Sequence, residues 1–228
     1  METPSVQVSS SLAFGARVAR GLVTSILCGA ALGAAAWLVD RLGFPWTGVI
    51  PVNLIGSWLA VAFVLGTTAR TPATGALRGL IGLLAAVVAY YILVALFDGG
   101  IRAVGASHAA FVWGTVALLA GPCLGLAGGV WRHGAGRSRA LAVAVLAAGL
   151  IAEALVFGSG RLLHVDVVVD PGALVLGAEL VLGLALPVLL LRGGERLTGY
   201  VALAVFGALA FLVIEPVTAL LRTLADTF

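Results

Sequence analysis

Along this chain, long apolar stretches alternate with short polar punctuation. Seven of the stretches have the length a helix needs to cross a bilayer, about 20 residues. They are Gly21–Val39, Thr47–Ala69, Gly79–Phe97, Ala109–Trp131, Ala140–Gly158, Gly172–Leu191 and Thr198–Leu221. Only short loops join them, which leaves no room for a linker. Residues 21–228 therefore read as one transmembrane helical domain, preceded by a cytoplasmic N-terminal segment over residues 1–20. The predicted fold class is all-α, a polytopic transmembrane bundle of about seven helices. The first stretch follows Arg17 and Arg20 and passes through GAAA at 33–36, which loosely resembles a secretory signal. Its apolar run to Val39 is longer than a signal core of about 7 to 15 residues, so a retained helix is expected.

The arginines test this count independently, because cytoplasmic loops collect basic residues. With the N-terminus inside, one side holds Arg17, Arg20, Arg70, Arg78, Arg132, Arg137, Arg139, Arg192 and Arg196, and the other only Arg41, Arg102, Arg161 and Arg222. Asp40, Asp98, Asp166, Asp170 and Asp226 all fall on the second side. A missed or extra helix would blur that asymmetry. The pattern predicts seven spans, N-terminus cytoplasmic and C-terminus outside, in a bacterial plasma membrane.

Composition agrees: 61% of residues are hydrophobic and 10% charged, and the mean hydropathy is +1.16, outside the range of a water-soluble domain. All 13 basic residues are arginine. They are scattered between apolar segments, so the net charge of +3 does not point to nucleic acid. Cys28 and Cys123 lie within apolar stretches without metal or disulfide spacing and read as buried thiols. No cofactor motif is present.

Small residues mark where helices meet, since close backbone approach drives much of the association in lipid. Gly29 and Gly33 recur at four-residue spacing in the first stretch, Gly79, Gly82 and Ala86 form a stripe in the third, and Gly121, Gly125 and Gly129 do so in the fourth.

Against this background, polar groups inside apolar stretches stand out, because an ionisable group there costs about 2.5 to 3.5 kcal/mol on insertion scales and usually faces the bundle interior. Glu153, Glu179 and Glu215 each lie about five to seven residues from the outer end of their stretch, roughly 8 to 11 Å deep at the helical rise. Asn53, the chain's one asparagine, and Tyr90 with Tyr91 fall at the same depth. His108 lies at the outer mouth of the fourth stretch. Asn53, Tyr90, Glu153, Glu179 and Glu215 thus form a candidate intramembrane polar pocket facing outward. Pro216 frees the carbonyl of Leu212 within a turn of Glu215 as a further acceptor. Each glutamate also has a structural reading, as an ion-paired or hydrogen-bonded residue that fixes helix register; Glu215 and Arg222 lie two turns apart on one face.

No HExxH, GxSxG or glycine-rich phosphate loop occurs, and His108, His133 and His164 are far apart, so no enzyme is expected. His164 and Asp166 form an HxD in the loop HVDVVVDPG, more simply a solvated loop than a metal site.

Asn53, Gly56, Ser57 and Trp58 in NLIGSW resemble an Asn-x-x-Gly-Ser-aromatic run of the small fluoride channels of bacteria. That local resemblance implies fluoride conduction. A longer one runs through Asn53 and Trp58, AFVLG (62–66), AAVVAYY (85–91) and WGTVALLAGPCLGLAGGVWR (113–132). In these features the chain resembles a bacterial family of multi-pass membrane proteins catalogued only as a domain of unknown function. That resemblance implies an architecture and no mechanism. The functional expectation from the residues is a small transporter or channel-like protein whose outward polar pocket takes a cation or proton, in contact with the lipid bilayer. The alternative is a structural or partner-binding membrane subunit.

Overall fold

The computed structural model describes residues 4–42, 54–98, 101–162, 171–209 and 212. Their regular structure is helical, joined by short turns, with no strand among them. In chain order the helices are α1 (Pro4–Arg41), α2 (Ile55–Thr67), α3 (Pro72–Phe97), α4 (Ile101–His133), α5 (Arg137–Leu162) and α6 (Pro171–Leu190), followed by α7 over 195–209. Among the described residues, four helices carry segments long and apolar enough to cross a membrane: Val18–Arg41, Pro72–Phe97, Ala109–His133 and Arg137–Leu155. Ile55–Thr67 and Val175–Leu190 are apolar but shorter.

Local chemistry sets the boundaries. α3 opens on a capping box: the Thr71 hydroxyl accepts from the Thr74 N–H at 3.2 Å, the Thr74 hydroxyl accepts from the Thr71 N–H at 3.1 Å, and Pro72 takes the first helical position, where its missing N–H costs nothing. The turns after α4 and α6 depend on Gly136 (φ +57°) and Gly193 (φ +51°), a left-handed conformation that glycine adopts without a steric penalty. Glu195 ties the two turns together, its Oε1 accepting from the Gly136 N–H at 2.7 Å.

The small-residue stripes meet as the sequence predicts. A Cβ on Gly29 or Gly33 of α1 would run into the carbonyl of Gly82 or Ala86 of α3. On the other face of α3, a Cβ on Gly121 would lie 3.0 Å from the Gly79 carbonyl oxygen, and one on Gly125 3.0 Å from the Gly79 Cα. α3 is thereby clamped between α1 and α4, its two main partners. α5 supplies much of the core through Ala140, Val143, Ala144 and Ala147, all fully buried, and packs on α6.

α1 begins at Pro4, and the part of it long and apolar enough to cross a membrane, Val18–Arg41, agrees with the predicted first span. One element differs from the sequence reading. α2 begins at Ile55 rather than at Thr47 and has 13 residues, about 20 Å of helix against the roughly 30 Å of a bilayer core. Its C-terminal end sits with the start of α3, where Arg78 donates to the Thr68 carbonyl at 2.9 Å and hydroxyl at 2.8 Å. The 26 residues of α3 run on from there for about 39 Å. The shorter α2 consequently ends part-way along α3, and as a whole it packs on α3, α4 and α5. The predicted seventh span, Thr198–Leu221, falls partly on α7 and partly outside the described residues.

Candidate functional site

A helix that starts inside an apolar bundle presents N–H groups with no partner in their own helix. Leu54, at the N-cap of α2, has an extended backbone and no capping side chain. The cap comes instead from α5. Glu153 Oε1 accepts from the Ile55 N–H at 2.7 Å, and Glu153 Oε2 accepts from the Gly56 N–H. A carboxylate placed on two N–H groups at the positive end of a helix dipole is a strong, charge-assisted arrangement. It also accounts for how a glutamate that is only 5% exposed is tolerated there.

Glu179 of α6 joins it. A Cβ on Gly56 would lie 2.6 Å from Glu179 Oε1 and 3.2 Å from Glu153 Oε2, so the two carboxyl groups converge on the space that a side chain at position 56 would take. Helix packing brings them there: a Cβ on Gly183, one turn after Glu179, would meet Ile151 Cγ1 at 2.7 Å and the Ala147 carbonyl at 3.0 Å. That close approach of α5 and α6 aligns Glu179 with Glu153. The two glutamates differ in one respect. Glu153 is hydrogen-bonded through both oxygens, whereas Glu179, 9% exposed, has a buried Oε2 with no hydrogen-bond partner among the described residues.

Beside this pair lies a cavity of about 300 Å³ whose walls include Asp40, Ile55, Trp58, Tyr90, Tyr91 and Trp113. Ile55 is shared: its side lines the cavity while its N–H caps onto Glu153. Tyr90 donates to Asp40 Oδ2 at 2.6 Å. Nearby, Arg41 bridges to Asp98 at 2.8 Å and lies over the rings of Trp37 and Phe97, 5.4 and 5.9 Å from their centroids. Trp37 Nε1 donates to the same Asp98 at 3.1 Å. Among the described residues, no three His, Cys, Asp or Glu side chains converge as a metal site would require.

Of the five residues predicted from sequence, Glu153 and Glu179 come together at Gly56. Tyr90 lies on the adjoining cavity and bonds to Asp40 rather than to a glutamate. Asn53 and Glu215 lie outside the described residues, as do His164 and Asp166 of the HxD. Sequence reasoning missed the backbone N–H groups of Ile55 and Gly56, and the roles of Asp40, Trp58 and Trp113. Pro51, in the middle of the stretch read as one span, was the available signal for a helix that starts late.

No curated protein and no solved structure matches the chain. A family model does match, over residues 13–220, taking in every element that builds the carboxylate pair and the cavity; the chain belongs to a family of unknown function, DUF6518.

Proposed function

We propose that the chain is a small transporter or channel-like membrane protein in which Glu153 and Glu179, gathered at the N-terminus of α2, bind a cation or proton. The observation that carries this reading is the buried Oε2 of Glu179, which has no hydrogen-bond partner among the described residues and lies beside a second carboxylate. Like charges in an apolar interior repel strongly, and a positive charge between them offsets both the repulsion and the desolvation. A helix that stops part-way through the bundle supports the reading too, since interrupted helices that build polar sites at mid-membrane recur in transporters. Asn53 belongs to the proposed site by its place in the chain, two residues before Ile55. The arginine distribution favours an outward-facing mouth, with the N-terminus cytoplasmic. Two carboxylates repel an anion, so fluoride conduction, implied by NLIGSW, is the weaker reading.

A structural subunit remains the second reading, and the bidentate cap of Glu153 on α2 favours it, because a cap can exist only to hold a short helix in place. Thermal stability of the purified protein, measured over a series of alkali and alkaline-earth cations and from acid to neutral pH, separates the two. A ligand that binds only the folded state raises stability by RT ln(1 + [L]/Kd). A cation or proton site predicts a stabilising shift that Glu179→Gln abolishes. No shift, with Glu179→Gln as stable as the wild type, supports the structural subunit instead.

A further inference from the structure

The cavity beside α2 has a chemistry that the carboxylate pair does not explain. Four aromatic side chains wall it, Trp58 from α2, Tyr90 and Tyr91 from α3 and Trp113 from α4, and among the described residues its acidic group is Asp40 from α1. The remaining described lining residues are aliphatic. Tyr91 stands nearly edge-on to Tyr90, at 5.0 Å between centroids and 75° between planes, so the two adjacent rings face different directions. The Tyr90 hydroxyl is turned to Asp40, which orients the ring and the carboxylate together.

Such a lining discriminates between kinds of cation. A hard metal ion needs several oxygen ligands, six or more for calcium and a near-octahedral set for magnesium, whereas the described lining offers four side-chain oxygens, two on Asp40 and one each on Tyr90 and Tyr91. An alkylated ammonium ion needs no ligand oxygen. Its methyl or methylene groups sit against aromatic faces, whose negative quadrupole attracts the diffuse charge, and a carboxylate at the rim completes the attraction. A volume of about 300 Å³, at the small end of ligand pockets, sets the size of the guest.

We infer that the cavity between α1, α2, α3 and α4, walled by Trp58, Tyr90, Tyr91 and Trp113 and closed by Asp40, binds a small quaternary or alkylated ammonium cation. The inference stands on the cavity alone and holds whether the carboxylate pair binds a cation or only fixes helix register.

The test is calorimetric titration of the full-length purified protein in detergent with choline, and with its uncharged isostere 3,3-dimethylbutan-1-ol. Saturable choline binding is expected, with the alcohol weaker by about tenfold or more, as losing the cation's contact with the rings implies. Asp40→Asn and Trp58→Leu weaken choline, Trp58→Phe retains it because an aromatic face remains, and Glu179→Gln leaves it unchanged. The Phe variant separates loss of the ring from loss of the fold. Equal binding of the alcohol, or absence of saturable choline binding by the wild type, overturns the inference. Loss of binding in Glu179→Gln with Asp40→Asn unaffected also overturns it, and would assign the cation to the carboxylate pair, leaving the proposed function intact.

Discussion

Glycines do two different jobs in this molecule. At the α3–α4 seam, Gly79, Gly121 and Gly125 let one helix backbone lie against another, and the atoms that occupy the missing side chains' space are backbone atoms of the opposite helix. At Gly56 the same absence of a side chain admits two carboxyl groups from α5 and α6. The seam's carbonyls already serve in helical hydrogen bonds, so close approach there adds packing without adding charge. The groups at Gly56 are ionisable and buried, and in Glu179 one oxygen has no hydrogen-bond partner among the described residues. Close packing alone accounts for the first arrangement; the second also needs an account of charge.

Substitution separates the two jobs, and the largest effect is expected at the seam. Gly125→Ala sets a Cβ against the backbone of α3, which neither helix can yield without moving, and should cost about 3 kcal/mol, the upper part of the range for overpacking. Unfolding in mixed detergent with a denaturant checks this. Glu153→Ala is next, at about 2 kcal/mol, since it leaves the Ile55 and Gly56 N–H groups buried without an acceptor while also relieving the repulsion on Glu179. Gly56→Ala should cost about 1 kcal/mol, because the groups in its way, Leu150 Cδ2 at 2.5 Å and Glu179 Oε1 at 2.6 Å, are tips of side chains that can turn aside. Any cation-dependent stabilisation should nevertheless disappear in Gly56→Ala, and a variant that keeps it would show that the two carboxyl groups need not converge. The smallest change is Arg41→Ala. It removes an ion pair to Asp98 whose arginine side chain is 46% exposed, worth at most about 1 kcal/mol, so its melting temperature should stay near the wild type's and its cation response should be unaffected.

Much of this architecture was legible in the sequence because two of its determinants are periodic. Apolar length marks spans, and small residues four apart mark contacts, so Gly29 and Gly33 were correctly seen as packing positions, as were Gly79, Gly82, Gly121 and Gly125. Glu153 and Glu179 were legible as exceptions to an apolar background. Their meeting point was not. It depends on α2 starting at Ile55, and a helix that begins late inside a continuously apolar stretch leaves no trace in hydropathy; Pro51 alone hints at it. Nor does the sequence reveal that the acceptor for the first N–H groups of α2 lies nearly a hundred residues away, in α5. The aromatic cavity was missed for a similar reason. Trp58, Tyr90 and Trp113 belong to three different helices, and only the bundle brings them to one space.

Difference infrared spectroscopy of the reconstituted protein tests the central claim most directly, by recording carboxyl and carboxylate bands before and after a cation is added or the pH is changed. If Glu179 and Glu153 hold a cation or proton at Gly56, ligand addition alters a carboxyl band, and that change is missing from the Glu179→Gln spectrum. If no band assignable to Glu179 responds to any cation or to pH, the glutamates serve only to hold α2 in place, and the transporter reading is contradicted.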